Sequence, residues 1–377
     1  MGEMTQTSLT RSILHRFSAA GAALASAALL ALIFAGPAIA FCQAEISPAK
    51  SAAASKATSQ GCSQVIEMAE PTKDGFAAAL NQRGLVYEGK GELDCALVEF
   101  DRAIQLKPEL SVLFSNRGNV YAEKGQFDSA IQDFQQAIRL DPDNAVAFNN
   151  LGSLHFNQSD VEQAITNYDR AISLKPDYAK AFVNRSGAYL SKGDPARALS
   201  DCNEAIRLKH EATDAHYNCG IAHMRLGDFP AAIGEFDKVI RQHPGFADAF
   251  NNRGNAFSLK KDFQRAIHDF DEAIRLKPGF VEAIYNRGLA LCHTGQQDRA
   301  IEDFGMAIHL KPDNAQAFNN RGSLYVEKGE LDLAIQDFDE AIRLRPDYAD
   351  ALRNRSIALQ RKIAQGQVAQ VSVTAAN

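Results

Sequence analysis

Residues 250–254 read FNNRG, and the same five letters return at 318–322. Phe114–Ser115–Asn116–Arg117–Gly118 and Phe148–Asn149–Asn150–Leu151–Gly152 are close copies. Neither Asn nor Gly favours a helix interior, so a chain that keeps returning them at one spacing answers a packing or a binding demand. Working outward, Gly stands at 84, 118, 152, 220, 254, 288 and 322, with Ser186 and Ser356 in the two remaining slots. Ala follows twelve residues later, at 96, 130, 164, 198, 232, 266, 300 and 334. Four residues on come Phe100, Phe134, Tyr168, Cys202, Phe236, Phe270, Phe304 and Phe338. Pro closes the units at 108, 142, 176, 244, 278, 312 and 346, with His210 as the exception. A fixed period of 34 residues is the mark of a solenoid, whose units bury their apolar faces only by stacking.

Each place in the unit has a physical task. Leu80, Gly84 and Tyr87 lie at i, i+4 and i+7, one face of a first helix. Ala96, Phe100 and Ala103 form the matching stripe on a second helix. Gly and Ala let two backbones approach, and the aromatic ring fills the space between them. Gly91, Gly125, Gly193, Gly227, Gly295 and Gly329 mark the turn between the helices. Pro cannot continue a helix and ends the second one.

This pattern resembles the tetratricopeptide repeat family. The resemblance covers residues 77–348 as eight units and implies an all-α, right-handed superhelical solenoid of antiparallel helix pairs. Its concave wall, built from first helices, commonly binds peptides in that family. Residues 349–364 read as a final solvating helix, with Leu352 and Ile357 expected on the covering face, and 365–377 as a disordered tail. One departure is that the large aromatic early in the unit is here mostly Phe, with Leu80, His216, Ile284 and Leu352 in its place.

The formal charge of −6 and the lack of any long basic run argue against a nucleic-acid partner. Arg11, His15 and Arg16 precede an apolar stretch from Ala19 to Gly36, and Ala38–Ile39–Ala40 offers a small-x-small cleavage site. Residues 1–40 therefore read as a signal peptide, with export to a bacterial periplasm and a mature chain starting at Phe41. The alternative is an uncleaved inner-membrane anchor through residues 19–36, the one route to a membrane contact. Residues 41–76 read as an Ala/Ser-rich tether carrying Cys42 and Cys62, which export would allow to pair.

No catalytic motif is present: no GxxxxGK[ST] loop, no HExxH and no GxSxG elbow. The chain is expected to be non-enzymatic and to need no cofactor. One cluster departs from the repeat. His216, Cys219 and His223 lie at i, i+3 and i+7, with Cys202 on the preceding helix. Three readings stand for it: a slightly polar core, a disulfide between Cys202 and Cys219, or a tetrahedral metal site.

The residue two before Gly is Gln82, Asn116, Asn150, Asn184, Asn218, Asn252, Asn286, Asn320 and Asn354. Two residues turn about 200° around a helix, so this column points away from the packing face. Its neighbours vary in identity while Asn does not. Either each amide bonds a neighbouring helix, or each offers a donor and an acceptor to an extended peptide backbone, as in the Asn ladder of the superhelical repeats of O-linked N-acetylglucosamine transferase. The peptide reading assigns Asn116, Asn150, Asn184, Asn218, Asn252, Asn286, Asn320 and Asn354 to a groove. Lys180, Asp214, Asp248, Glu282, Gln316 and Asp350 stand four residues before the column, and Asp214, Asp248 and Glu282 make the later part of that groove acidic. The Arg after Asn is expected to pair with Asp133, Asp201, Asp269, Asp303 or Asp337. The leading expectation is an exported scaffold for an unidentified protein or peptide. The alternatives are an envelope assembly part that uses convex or end surfaces, and a metal- or redox-responsive protein centred on the Cys/His cluster.

Overall fold

Phe100, Phe134, Phe270, Phe304 and Phe338 are fully enclosed, each against a glycine of the preceding helix. A Cβ added at Gly84, Gly118, Gly254, Gly288 or Gly322 would come 2.7–2.9 Å from the facing ring, closer than carbon atoms can pack. That contact sets the distance between the two helices of a unit, and it recurs at Gly152 against Tyr168.

The computed structural model describes residues 73–209 and 213–375. They form seventeen helices and, among the described residues, no strand. In chain order these are α1 (Lys73–Gly89), α2 (Leu93–Leu106), α3 (Ser111–Glu123), α4 (Phe127–Leu140), α5 (Ala145–Asn157), α6 (Val161–Leu174), α7 (Ala179–Lys192), α8 (Pro195–Leu208) and α9 (Thr213–Leu226). There follow α10 (Phe229–Gln242), α11 (Ala247–Leu259), α12 (Phe263–Leu276), α13 (Val281–His293), α14 (Gln297–Leu310), α15 (Ala315–Lys328), α16 (Leu331–Leu344) and α17 (Ala349–Ala375). Two compact units divide them, α1–α9 in one and α10–α17 in the other. Inside each, successive helices pack as neighbours, an all-α repeat solenoid.

The turn from first to second helix needs a left-handed residue, and Gly91, Gly125, Gly193, Gly227, Gly295 and Gly329 take φ of 72–81° there. Ser159 and Lys261 adopt the same conformation, at φ 66° and 62°, so the repeat imposes its turn even where Gly is lost, at a cost of about 1–2 kcal/mol. Most second helices end two residues before Pro, with a non-helical C-cap such as Lys107, whose N–H still donates to Ala103 O. Pro disfavours helical backbone in the residue before it, which accounts for the stop. Many first turns are capped by a side chain: Asn144, Asp160, Asp194, Asp228, Asp262 and Asn314 each accept from a backbone N–H three residues on.

The ends of the repeat array depart from expectation. Helix α1 begins at Lys73, inside the stretch read as tether, and α17 continues to Ala375, beyond the expected stop at 364. The covering face of α17 is also not the one expected. Ala351 and Ala358 are the enclosed residues, and Ala358 joins Ala334 and Phe338 in one cluster. Leu352 is 46% exposed. The physical reason is the closeness of the fit: Ala351 and Ala358 sit seven residues apart on one stripe, and a larger side chain one position on is carried about 100° away. The expected signal peptide, its anchor alternative, and Cys42 and Cys62 lie outside the described residues, as does His210. Among the described residues no helix is long and apolar enough to cross a membrane.

Candidate interaction surface

The Asn column faces a neighbouring helix, and its amide nitrogens are bonded to it. Asn116 Nδ2 donates to Asn81 Oδ1 at 2.8 Å, joining α3 to α1. Asn150 donates to Asn119 Oδ1 at 2.9 Å, and Asn184 to Asn149 Oδ1 at 3.0 Å. Asn218 reaches Ser186 Oγ at 2.8 Å and Val183 O at 3.2 Å. In the second unit Asn286 donates to Asn251 Oδ1 at 3.2 Å, Asn320 to the Tyr285 hydroxyl at 2.8 Å, and Asn354 to Asn319 Oδ1 at 3.0 Å. Asn252 occupies the same place on α11. Each bond ties a first helix to the first helix before it. Asn218 and Asn286 are themselves buried.

Sequence reasoning misjudged the neighbours of this column as having drifted. The place before Asn and the third place after it supply the acceptors: Asn81, Asn149, Asn251, Tyr285 and Asn319 from the first, Asn119 and Ser186 from other places on the first helix. Their identities vary because an amide, a hydroxyl or a backbone carbonyl serves equally well. The signal was there, as polar residues recurring 31 to 35 positions before the Asn places, and it is chemical rather than alphabetical. Of the two readings of the column, helix bracing is the one with a hydrogen bond to its name.

The Arg after Asn behaves as expected and does more. Arg117 grips Asp133 through Nε and Nη2 at 2.8 and 2.7 Å, and its Nη1 reaches back to Asp101 at 2.6 Å. Arg185, Arg253 and Arg287 repeat this with Asp201 and Asp169, Asp269 and Asp237, and Asp303 and Asp271. Each guanidinium thus bridges the second helices on either side of it. Hydrogen bonds that Arg117 and Arg287 donate to the facing carboxylates push their guanidinium pKa well above its ordinary range. Bidentate, half-buried pairs of this kind are the geometry in which ion pairing contributes most.

Cys202 and Cys219 form a disulfide with a Cα–Cα distance of 5.6 Å, joining α8 to α9. Both are enclosed, at 0% and 1% exposure. Of the three readings of the cluster the structure takes the disulfide. Among the described residues no group of three or more His, Cys, Asp and Glu side chains is placed to hold a metal ion. His216 is buried and His223 half-buried, and neither completes a site. The disulfide is reached by a paired substitution. Cys202 stands in the aromatic place and Ser186 in the Gly place, so the ring is removed where the small residue grows.

The stripe four residues before Asn is the more open surface. Val112 on α3 and Val146 on α5 are 49% and 46% exposed, and Lys180 on α7 is also exposed. Asp214 on α9 is half-buried. In the second unit Asp248 is half-buried, Glu282 is exposed, and Asp350 is bonded to Arg353 at 2.7 Å. Burial, with Glu282 adding, raises the Asp248 carboxyl pKa above its usual range, and Lys277 opposes the shift. The stripe therefore passes from apolar to acidic along the sequence.

Comparison with known proteins agrees with this geometry. A TPR repeat family model matches residues 118–159, 288–329 and 322–362. Two tetratricopeptide repeat models match residues 217–279 and 145–178. Together these span more than half of the sequence, and the chain belongs to the tetratricopeptide repeat family. The sequence matched no curated protein. Among solved structures, the Cut9–Hcn1 hetero-tetramer of the APC/C is similar at TM-score 0.56 and 19% identity, over 71% of this chain and 52% of that one. The present chain thus spans about half the length of that match. A tetratricopeptide repeat protein from Parabacteroides merdae gives TM-score 0.51 at 20% identity, over 66% and 98% of the two chains. Pseudomonas aeruginosa pilF gives 0.52 at 21%, over 56% and 96%. At such identities the likeness is one of fold.

Proposed function

We propose that this protein is an exported, non-enzymatic scaffold that seats an extended segment of a partner protein along its first helices. Tetratricopeptide repeats serve as protein–protein interaction scaffolds, which sets the class. The carrying observation for the partner's chemistry is the acidic part of the open stripe. Burial, with Glu282 adding to it, already makes Asp248 ionise with difficulty despite Lys277, so a further cationic side chain brought to it relieves a cost that the free protein bears. A segment with basic residues fits α11 and α13, and an apolar residue fits Val112 and Val146 on α3 and α5.

In this reading the Asn column has a supporting role. Its amide nitrogens hold the first helices in register, and what they leave for a peptide backbone is the remaining acceptor capacity of each amide. Contacts from the stripe four residues earlier carry recognition. The disulfide supports export, because such bonds persist in oxidising compartments and the sequence opens with a signal-like segment.

The test is capture from bacterial envelope extract with the mature chain as bait, wild type against Asp248→Asn with Glu282→Gln. Capture of basic partners should fall several-fold in the double variant. Undiminished capture would defeat the acidic-stripe assignment. Export is checked by N-terminal sequencing of the fractionated protein, which should begin at Phe41. An intact segment 19–36 in the membrane fraction would overturn it.

A further inference from the structure

Each Arg of this column has an acidic residue sixteen positions before it, with one exception. The place sixteen residues before each Arg holds the carboxylate taken by Nη1: Asp101, Asp169, Asp237 and Asp271, at 2.6–2.7 Å. Where Arg itself is lost, the carboxylate sixteen residues before it is lost as well, although Glu235 stays sixteen residues after Cys219 and pairs with Lys238 at 2.8 Å. Leu151 is flanked at sixteen residues by Gln135 and Asn167, and Cys219 is preceded at that distance by Asn203. Arg321 breaks the rule the other way. It keeps Asp337 through Nε and Nη2 at 2.8 and 2.7 Å, but the residue sixteen before it is Gly305. A Cβ built on Gly305 would find one heavy atom within 4 Å, Arg321 Nη1 at 3.5 Å. Among the described residues no acceptor is bonded to that nitrogen.

The rest of this turn of α14 has also shed its charge. On α8, α12 and α16 the next residue is a Glu that pairs with an Arg three residues on: Glu204–Arg207, Glu272–Arg275 and Glu340–Arg343. On α14 those two places hold Met306, half exposed, and His309. This turn of α14 thus presents a small residue, an exposed thioether and an open guanidinium edge.

We propose that Gly305 and Arg321 form a recognition notch for an acidic side chain of a protein partner. The partner's carboxylate enters over Gly305 and accepts from Arg321 Nη1, the place that Asp101, Asp169, Asp237 and Asp271 fill from within the chain elsewhere. Met306 supplies an apolar contact beside it. A single carboxylate fits better than a phosphate dianion, because Asp337 already brings one negative charge to the same guanidinium and a second double charge there is repelled. The partner as source of the carboxylate rests on the scaffold reading above. The notch itself stands on the geometry alone.

The experiment is an NMR titration of the full mature chain, following the arginine side-chain Nε–H and Nη signals of Arg321 and Arg287. The probes are N-acetyl-aspartyl-methylamide, its neutral asparaginyl counterpart and inorganic phosphate. Arg321 should respond saturably to the aspartyl probe, at least fivefold more strongly than to the asparaginyl probe or to phosphate. Arg287, whose two carboxylates are in place, should not respond and reports that the fold is intact. In Gly305→Asp the response should vanish, since the internal carboxylate is restored. The assignment fails if Arg321 responds no more than Arg287, if phosphate or the asparaginyl probe matches the aspartyl probe, or if Gly305→Asp responds like wild type. Failure here with basic partners still captured through Asp248 and Glu282 would remove the notch and leave the scaffold standing.

Discussion

The joint between α8 and α9 and the joint between α12 and α13 occupy the same place two repeats apart and are built from different chemistry. At α12–α13 the work is non-covalent. Within the repeat Phe270 on α12 fills the space over Gly254 on α11, and across the joint Arg287 on α13 reaches Asp271 on α12 at 2.7 Å. At α8–α9 the aromatic place holds Cys202, the facing glycine place on α7 holds Ser186 and the arginine place on α9 holds Cys219, and a disulfide joins α8 to α9 where an ion pair stands at α12–α13. The comparison shows that the joint from a second helix to the next first helix can be tied by an ion pair or by a covalent bond, and that the residues facing each other inside the unit change with it.

The largest expected effect tests the non-covalent joint. Phe270→Ala empties a fully enclosed ring position and should cost about 3–5 kcal/mol, read as a lower denaturation midpoint. Hydrogen exchange should localise the loss to α11–α13. A loss of less than about 1 kcal/mol would mean that the ring does not set the spacing.

Next comes the covalent joint. The bond closes a loop of 17 residues, for which about 3 kcal/mol is expected, and Cys202→Ser should lose it. The same change should do nothing under reducing conditions, where the wild type is already open. Cys202→Phe should fare worse than Cys202→Ser by roughly 1–3 kcal/mol, because a ring placed over Ser186 overpacks the site. Adding Ser186→Gly should recover that excess. A double variant no better than Cys202→Phe would show that the two positions were not exchanged as a pair.

These two joints also mark what the sequence discloses. Period, helix pairing and core were legible from Gly84, Phe100 and their repeats, because close packing at those places tolerates one size of residue. The Cys202–Cys219 bond was legible only as one option among three, since pairing depends on a distance that the spacing of letters does not contain. The acceptors of the Asn column were missed because Asn, Ser, Tyr and a backbone carbonyl all satisfy the same amide. Leu352 misled because α17 is seated by Ala351 and Ala358, where small size rather than hydrophobic bulk makes the fit. The uncompensated Arg321 could have been found by asking which ion pairs lose one partner but not the other.

A smaller effect concerns the bracing common to both kinds of joint. Asn286→Ala removes one hydrogen bond and leaves the buried Asn251 Oδ1 without its donor. The lost bond and stranded acceptor cost about 1–3 kcal/mol, and Ala returns roughly 0.5–0.7 kcal/mol of helix propensity, so a net loss near 1 kcal/mol is expected. Asn320→Ala should behave alike through the Tyr285 hydroxyl. If either variant melts at or above the wild-type temperature, the amides are not braces, and the backbone-binding reading of the column gains.

The smallest effect belongs to a joint of a third kind, where like charges meet. Glu88 on α1 has its carboxyl pKa raised from 4.5 to about 7, chiefly by burial and further by Glu123 on α3. The folded state therefore holds this proton over a pH range in which the unfolded chain has released it. The resulting contribution to stability is fully present below pH 4.5 and is lost as pH rises through about 7. Glu88→Gln removes the titration and keeps the neutral shape. The variant should match the wild type in mild acid and exceed it in mild alkali. Because Glu88 is only partly buried, solvent screening holds the gain to about 1 kcal/mol. Glu123→Gln should produce a smaller shift in the same direction, since it relieves the repulsion but leaves the burial. Stability curves of wild type and Glu88→Gln that run parallel across this range would show that the α1–α3 joint tolerates both charges, and that only the ring and the disulfide distinguish one joint from the next.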